Sequence, residues 1–291
     1  MVDFPIIDSH VHLLDRTRFS YSWSSGSSWA TGVPKLNRDW TADDLASYAK
    51  PYQIEGFVFV EADVDMPHHI AEAEWVDSAA VHDNRIMASV VCVPLEKGRS
   101  IEPEIARISS LQSVRGVRRL VQNLPHPSIA TQPDFLDALN LLPRYGLSFD
   151  VCVGQDHLPV AIEMMQRSPR VAFVLDHIGM PDIKSNRFAP WQAQIREIAR
   201  FENVVCKLSG VLTQADHATW TYDQVRPYIE LAIESFGTDR VLFGGDWPVL
   251  ELAASYREWV DTVDKVTEGL GQADRRKIFR ENAIRTYRLA W

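Results

Sequence analysis

The amino-acid sequence predicts a (β/α)8 barrel, because short apolar runs and longer segments with helical spacing alternate along all 291 residues. The apolar runs are rich in β-branched residues and leave almost no polar position, as Gly56–Val60 illustrates. Such strands are typical of a parallel sheet that helices cover. A chain of this length is ordinary for one α/β barrel. We therefore expect a single domain over residues 1–291, with an open doubly wound sheet as the alternative.

Eight segments are predicted as strands from these runs. They are Pro5–His10, Gly56–Glu61, Ile86–Val93, Gly116–Val121, Leu147–Val153, Val171–Asp176, Asn203–Leu208 and Arg240–Gly245. Helices are predicted between them, and several begin with Pro in the first turn or just after Thr, Ser or Asp. The clearest are Pro67–His82, Pro133–Tyr145, His157–Ser168, Pro190–Phe201 and Gln224–Phe236. Two more helices, Glu251–Glu268 and Ala273–Tyr287, are expected to close the structure.

The composition favours a soluble globular protein without a nucleic-acid or membrane partner. The net charge is -9, whereas phosphate contacts need a basic face. No run approaches the roughly 18 apolar residues of a membrane helix, and no signal-peptide pattern opens the chain. Cys92, Cys152 and Cys206 are isolated within apolar runs, which is typical of a reducing compartment. We expect a cytoplasmic protein, and a homodimer is a common state for an enzyme of this size.

The motif Asp8–His12 stands at the end of the first predicted strand. Alternate residues of a strand point the same way, so His10 and His12 can direct two imidazoles at one point, as a divalent metal requires. Two histidines at this spacing are also common without any function. At the carboxyl end of a barrel strand, where barrel enzymes carry their active sites, metal binding is the stronger interpretation.

Two further residues complete a candidate cluster with these histidines. Asp246 follows the eighth strand behind two glycines, and in a closed barrel it faces the first strand. Its carboxylate is suited to binding a metal or taking a proton from water, although an aspartate here is often only a helix cap. His177 follows the sixth strand, where a core histidine with a backbone partner is the alternative. We predict that His10, His12, His177 and Asp246 form a three-histidine, one-carboxylate site.

Other side chains near strand ends are candidates for substrate binding. They are Glu61, Arg118, Gln122, His157 and Lys207, with Trp29 and Trp247 as aromatic surfaces. Strand alternation turns either Arg118 or Arg119 inward, where it binds a substrate carboxylate or pairs with Glu61. Lys207 lies late in a buried strand, so its charge needs a substrate oxygen or a structural partner. His157 is equally suited to the first turn of a helix.

The segment Ser20–Trp29, rich in serine, glycine and aromatic residues, interrupts the alternation after the first strand. In a barrel it lies over the face that carries the strand ends. It is either an ordinary surface loop or, with Trp23 and Trp29, a lid or a surface on which a sugar ring stacks.

The sequence resembles the amidohydrolase superfamily, and within it the amidohydrolase-2, lactonase-like branch, over nearly the whole chain. The motifs that carry the resemblance are Asp8–His12, Val114–Arg119, Asp156–Pro159, Leu175–Gly179, Cys206–Gly210 and Phe243–Pro248. The HxH pair and the terminal aspartate are typical of the superfamily, and the CKLSG and GDWP motifs of its lactonase branch. That branch includes sugar-lactone hydrolases and the pyrone-dicarboxylate lactonase.

The resemblance implies that Asp246 activates a water molecule, which His10, His12 and His177 surround. Relatives with two metal ions carry a bridging Lys or Glu on the fourth strand, and Val117–Leu120 contains neither. A single divalent ion, with zinc as the first choice, or no metal at all is therefore expected.

These features predict a hydrolase that opens a lactone ring by attack of water, with Asp246 as general base. His177, Arg118 or Lys207 then stabilises the oxyanion of the tetrahedral intermediate. No Gly-x-Ser-x-Gly motif is present, which disfavours a serine-hydrolase route. A sugar lactone is the first choice of substrate. The alternatives are a dicarboxylate lactone from aromatic degradation, decarboxylation of an aromatic or dienoic acid, and a binding protein without catalysis.

Overall fold

A computed structural model describes residues 2–26 and 34–289, and it contains the predicted barrel. Eight parallel strands lie in chain order, so each strand pairs with the next one in the sequence. A doubly wound sheet would reverse its strand order part-way, and this sheet does not. The strands are β1 Ile6–Val11, β2 Ile54–Val60, β3 Ile86–Cys92, β4 Val114–Leu120, β5 Ser148–Cys152, β6 Phe173–Leu175, β7 Val204–Leu208 and β8 Val241–Phe243.

The barrel closes between β1 and the segment that follows β8. The backbone N–H of Asp246 donates to the carbonyl of His10 at 2.9 Å, and the N–H of His12 donates to the carbonyl of Trp247 at 2.8 Å. Val11 and Trp247 form a parallel bridge at the same place. The first and last motifs of the chain therefore lie side by side.

A buried carboxylate adds a second connection across this closure. Asp8 accepts hydrogen bonds from the N–H of Gly245 and the hydroxyl of Tyr256, each at 2.7 Å. The two glycines after β8 are needed because the backbones approach closely. A Cβ atom at Gly245 would lie 2.5 Å from Asp8 Oδ2, and one at Gly244 would lie 2.9 Å from the Cβ of His10.

Helices follow the strands, as the alternating pattern predicts. They are α1 Trp23–Gly26, α2 Ala42–Tyr48, α3 His69–His82, α4 Glu102–Ser109, α5 Pro133–Leu139, α6 Leu158–Arg167, α7 Phe188–Ile198, α8 Tyr222–Phe236, α9 Tyr256–Val266, α10 Gln272–Arg276 and α11 Asn282–Tyr287. Among the described residues, no helix is both long and apolar enough to cross a membrane.

Several predicted boundaries differ from the observed ones. The predicted helix Ala273–Tyr287 contains a π-helical segment, Lys277–Glu281, which a 3.6-residue pattern does not distinguish from α-helix. The sixth strand was predicted to run to Asp176 but ends at Leu175, because the chain turns there into a left-handed conformation. All three cysteines are buried and free, as their apolar surroundings predicted.

We predict that Gly245→Ala destabilises the fold by about 1–3 kcal/mol, because the added methyl group overlaps Asp8 and Tyr256 at the barrel closure. Urea denaturation measures the change in the free energy of unfolding. Gly269→Ala is the matched control, since a Cβ atom there meets nothing within 4 Å. Equal stability of the two variants would contradict the proposed importance of this close contact.

Candidate active site

Four side chains from three strand ends meet at the carboxyl end of the barrel. Oδ1 of Asp246 lies 3.3 Å from Nε2 of His12, 3.7 Å from Nε2 of His10 and 4.0 Å from Nε2 of His177. Possible ligand atoms of His10, His177 and Asp246 all lie within 4.8 Å of one another. The structure thus brings together the four residues that were predicted to form the cluster.

The turns that present His177 and Asp246 are unusual in their backbone geometry. Their φ angles are +55° and +53°, in the left-handed region that residues with a Cβ atom rarely adopt. Gly210 of the CKLSG motif packs against both side chains, and a Cβ atom there would lie 2.6 Å from Nδ1 of His177. Ser209 Oγ lies 2.9 Å from that same nitrogen and holds the ring in place.

The tautomer of His12 follows from its hydrogen bond. Its Nδ1 lies 2.9 Å from the carbonyl oxygen of Val60, which only accepts, so Nδ1 carries the proton. In the neutral ring the lone pair of Nε2 then faces the carboxylate of Asp246. Two acceptor atoms at 3.3 Å repel each other unless a proton or a cation lies between them. This arrangement fits a cation-binding site.

Burial and the neighbouring side chains together determine the charge state of the cluster. Burial lowers the pKa of His10 and of His177, which favours the neutral imidazole that binds metals. Burial alone would raise the pKa of Asp246, but the three neighbouring histidines outweigh it and lower that pKa to about 2. The cluster therefore holds an ionised carboxylate among imidazole nitrogens.

Lys207 lies beneath the cluster and does not reach the cavity. Its Nζ donates to Asp150 at 2.6 Å and lies 3.1 Å from Asp176 and 3.3 Å from Nδ1 of His10. The hydroxyl of Tyr287 also donates to Asp150. Lys207 is 0% exposed, which favours the predicted alternative of a structural partner over contact with a substrate oxygen.

Arg118 is the inward-facing arginine of β4, whereas Arg119 pairs with Glu96. Its Nε donates to Oε1 of Glu61 at 2.6 Å, and one of its terminal nitrogens lies 3.4 Å from Asp176. Glu61 is only 1% exposed and is not among the residues that line the cavity, which favours the predicted alternative in which it pairs with Arg118. The guanidinium of Arg118 still borders the cavity.

The cluster opens into a cavity of about 400 Å³, whose lining includes Trp23, Met180, Thr213, Gln214 and His217 and two further groups of residues. The first, which we call the apolar arc, comes from the loops after β1 and β8, and the second, the polar arc, from the loops after β2 and β4. The apolar arc consists of Leu14, Pro248, Val249 and Leu252. The polar arc consists of Asp63, Gln122 and Asn123. Among the described residues, Arg118 is the only Lys or Arg that lines the cavity.

The sequence profile of the amidohydrolase family matches residues 7–289. The chain belongs to the amidohydrolase family. The L-fucono-1,5-lactonase of Burkholderia ambifaria is 28% identical over 97% of this chain and 95% of its own length. The L-rhamnono-gamma-lactonase of Scheffersomyces stipitis is 23% identical over 99% of this chain and 100% of its own. A crystal structure of a Burkholderia multivorans amidohydrolase with bound zinc superposes with a TM-score of 0.86 at 27% identity, covering 99% of this chain and 100% of that one.

In this amidohydrolase, the predicted substrate-binding residues Gln122, His157 and Trp29 lie in three different places. Gln122 lines the cavity as predicted, and its Oε1 is buried without a hydrogen-bond partner among the described residues. His157 instead lines a smaller neighbouring cavity, which shares Met180 and Gln214 with the main one. Trp29 lies outside the described residues, although Trp23 of the same segment lines the main cavity and donates to the carbonyl of Ala62.

Trp247, which was expected to offer an aromatic surface to the substrate, is buried in the structure. Its side chain is 0% exposed and packs edge-on against Trp40, with ring centroids 5.0 Å apart. Its backbone forms the parallel bridge with Val11, next to the cluster. It therefore packs at the barrel closure and is not among the residues that line the cavity.

Sequence reasoning missed two carboxylates of this site. Asp176 contacts Arg118, Lys207 and His10, and its position directly before His177 at the end of an apolar strand was an available signal. Asp63 lines the cavity from a loop, and no motif or periodicity pointed to it.

We predict that Lys207→Met destabilises this amidohydrolase by about 3–5 kcal/mol, because it leaves Asp150 and Asp176 buried without their cation. Lys184→Met removes the surface partner of Asp216 and should cost less than about 1 kcal/mol. Urea denaturation of both variants measures the difference. A loss in Lys207→Met no larger than in the control would show that the buried network is not structural.

Proposed function

We propose that this amidohydrolase opens a lactone ring by hydrolysis, and that a neutral sugar lactone is its substrate. The observation that carries the proposal is the buried carboxylate of Asp246, which lies among three imidazoles at the base of a cavity. Such a carboxylate is placed to take a proton from water and return it to a leaving group. The relatives named as lactonases support the ester of a lactone as the bond that is cleaved.

In the proposed reaction, Asp246 takes one proton as the water oxygen forms a bond to the lactone carbonyl carbon. The resulting oxyanion is stabilised by a hydrogen bond from His177, which lines the same cavity. The bond from this carbon to the ring oxygen then breaks, and Asp246 returns its proton to that oxygen. The product is an open hydroxy acid, and its carboxyl group releases a proton at neutral pH.

The residues of the cluster also fit one divalent cation. His10, His12, His177 and Asp246 would hold it, and the facing lone pairs of His12 and Asp246 are compatible with such an ion. When bound, it would supply Lewis-acid charge and lower the pKa of water. The zinc in the related Burkholderia multivorans structure supports this assignment. A second group, Cys152, Asp176 and His177, shares a ligand with the first, and its Asp176 already faces Arg118 and Lys207.

The charges around the cavity favour a neutral substrate over a dicarboxylate. Arg118 is already paired with Glu61 and lies close to Asp176, so it offers little to a substrate carboxylate. The polar arc places the hydrogen-bonding side chains of Asp63, Gln122 and Asn123 along the cavity, where they suit substrate hydroxyls. The apolar arc suits the methyl group of a 6-deoxy sugar, and the fucono- and rhamnono-lactonases are named for lactones of such sugars.

We predict that Asp246→Asn lowers kcat by about a hundredfold or more, because the amide cannot take a proton from water. Steady-state hydrolysis of L-fuconolactone, followed with a pH indicator, measures the loss. Asp223→Asn on the exposed start of α8 is the control and should retain full activity. Turnover in Asp246→Asn equal to that of the wild type would exclude this aspartate as the base.

A matched pair of lactones tests the substrate class. L-fuconolactone and L-galactonolactone differ only in a methyl or hydroxymethyl group, and the apolar arc should favour the methyl group by about tenfold in kcat/KM. 2-Pyrone-4,6-dicarboxylate should not be hydrolysed measurably. Preferential cleavage of the dicarboxylate would refute a neutral sugar lactone as substrate, and absence of acid release from all three would refute the lactonase proposal.

A further inference from the structure

Asp63 is a cavity-lining carboxylate that the proposed reaction does not use. It follows β2, and its φ angle is +52°. The cavity also contains His177, Met180 and Asp246 in the same left-handed region, with φ angles of +55°, +42° and +53°. Residues other than glycine keep this conformation only where their surroundings enforce it, and such residues concentrate at functional sites. The left-handed conformation of Asp63 therefore indicates that its surroundings hold this residue in place.

The neighbours of Asp63 hold it in a defined orientation. Its backbone N–H donates to Oε2 of Glu61 at 2.8 Å, which ties the loop to the pair of Glu61 and Arg118. Nδ2 of Asn123 donates to Oδ2 of Asp63 at 3.1 Å. Among the described residues, no donor contacts the other carboxylate oxygen, Oδ1. One oxygen of this half-buried group is thus fixed and the other is available.

We propose that Asp63 is a specificity-determining residue that accepts a hydrogen bond from a ring hydroxyl of the substrate and disfavours anionic lactones. This proposal rests on the proposed function, since it assigns a part of the same cavity to the sugar ring. A fixed carboxylate with an available oxygen is a strong acceptor for a hydroxyl. The same charge repels a substrate carboxylate, and a neutral lactone avoids this cost.

The surroundings of Asp63 make this contact sensitive to pH. Burial and the charge of Glu61 raise the pKa of Asp63 to about 6, and Asp65 contributes in the same direction. Arg118 and Arg119 oppose the shift, and the buried Glu72 also lies within range of Asp63. Asp63 is therefore ionised above about pH 6 and becomes neutral as the pH falls through that value. The affinity for a polyhydroxylated ring should be higher at pH 7.5 than at pH 5.

Asp63→Asn is the informative substitution, because asparagine has the same shape and tolerates the left-handed conformation. We expect KM for L-fuconolactone to rise about tenfold at pH 7.5, as one charged hydrogen bond becomes a neutral one. The value of kcat should change less than threefold, and the wild-type rise in KM between pH 7.5 and pH 5 should disappear. Asp223→Asn removes a carboxylate charge at an exposed position outside the cavity, and it should keep both the wild-type KM and its pH dependence.

Binding of 1,5-anhydro-L-fucitol, which has the ring hydroxyls but no carbonyl, separates this proposal from the proposed function. Titration calorimetry should show weaker binding to Asp63→Asn than to the wild type. If the wild type hydrolyses no lactone yet binds this ring in a manner that depends on Asp63, only the lactonase reaction fails. Equal binding by both proteins, or no binding by the wild type, overturns the role of Asp63. An unchanged KM in Asp63→Asn, with lactone hydrolysis intact, overturns it as well.

Discussion

The backbone pairing between β1 and the segment after β8 is the constraint on which the site depends. Two hydrogen bonds join Asp246 to His10 and His12 to Trp247 along this seam between the first and last strands. The side chains of His10, His12 and Asp246 are therefore carried by the residues that close the barrel. The carboxylate of Asp8 reinforces this seam from below. Any displacement of one strand would change the distances between the imidazoles and the carboxylate directly. The arrangement of His10, His12 and Asp246 is therefore a consequence of barrel closure, and the turn after β6 adds His177 to it.

The second constraint is the pairing of buried charges beneath the cluster. Desolvation of Lys207 and Arg118 is costly, and each is compensated by carboxylates at hydrogen-bond distance, with Asp176 shared between them. These pairs keep both cations away from Asp246. Among the described residues, the ion-pair contacts of the Asp246 side chain are with the imidazoles of His10, His12 and His177. This separation leaves the Asp246 carboxylate available for a proton or a metal ion. The buried ion pairs thus contribute to function by confining charge.

The sequence predicted the fold and the cluster because both depend on regular patterns. Alternating apolar strands and helices indicated the barrel, and the two-residue period of a strand placed His10 and His12 on one side. The same reasoning does not show how deeply a side chain is buried, so substrate binding and ion pairing were both expected for Glu61 and Lys207, and the structure places both in buried ion pairs. Trp247 was misplaced because only the closure shows that it faces Trp40. Asp63 lies in a turn with positive φ, which no periodicity reveals.

The base and the wall of the cavity are consequently built from different kinds of segment. Strand ends supply the base, where closure and buried charge fix His12, His177 and Asp246. Loops supply the apolar and polar arcs, whose side chains are not constrained by the sheet. A change in an arc residue can alter which ring fits the cavity without moving the carboxylate or the imidazoles. Under the proposed function, substrate specificity is therefore a property of loops such as the one that carries Asp63, whereas the hydrolytic chemistry is a property of the barrel.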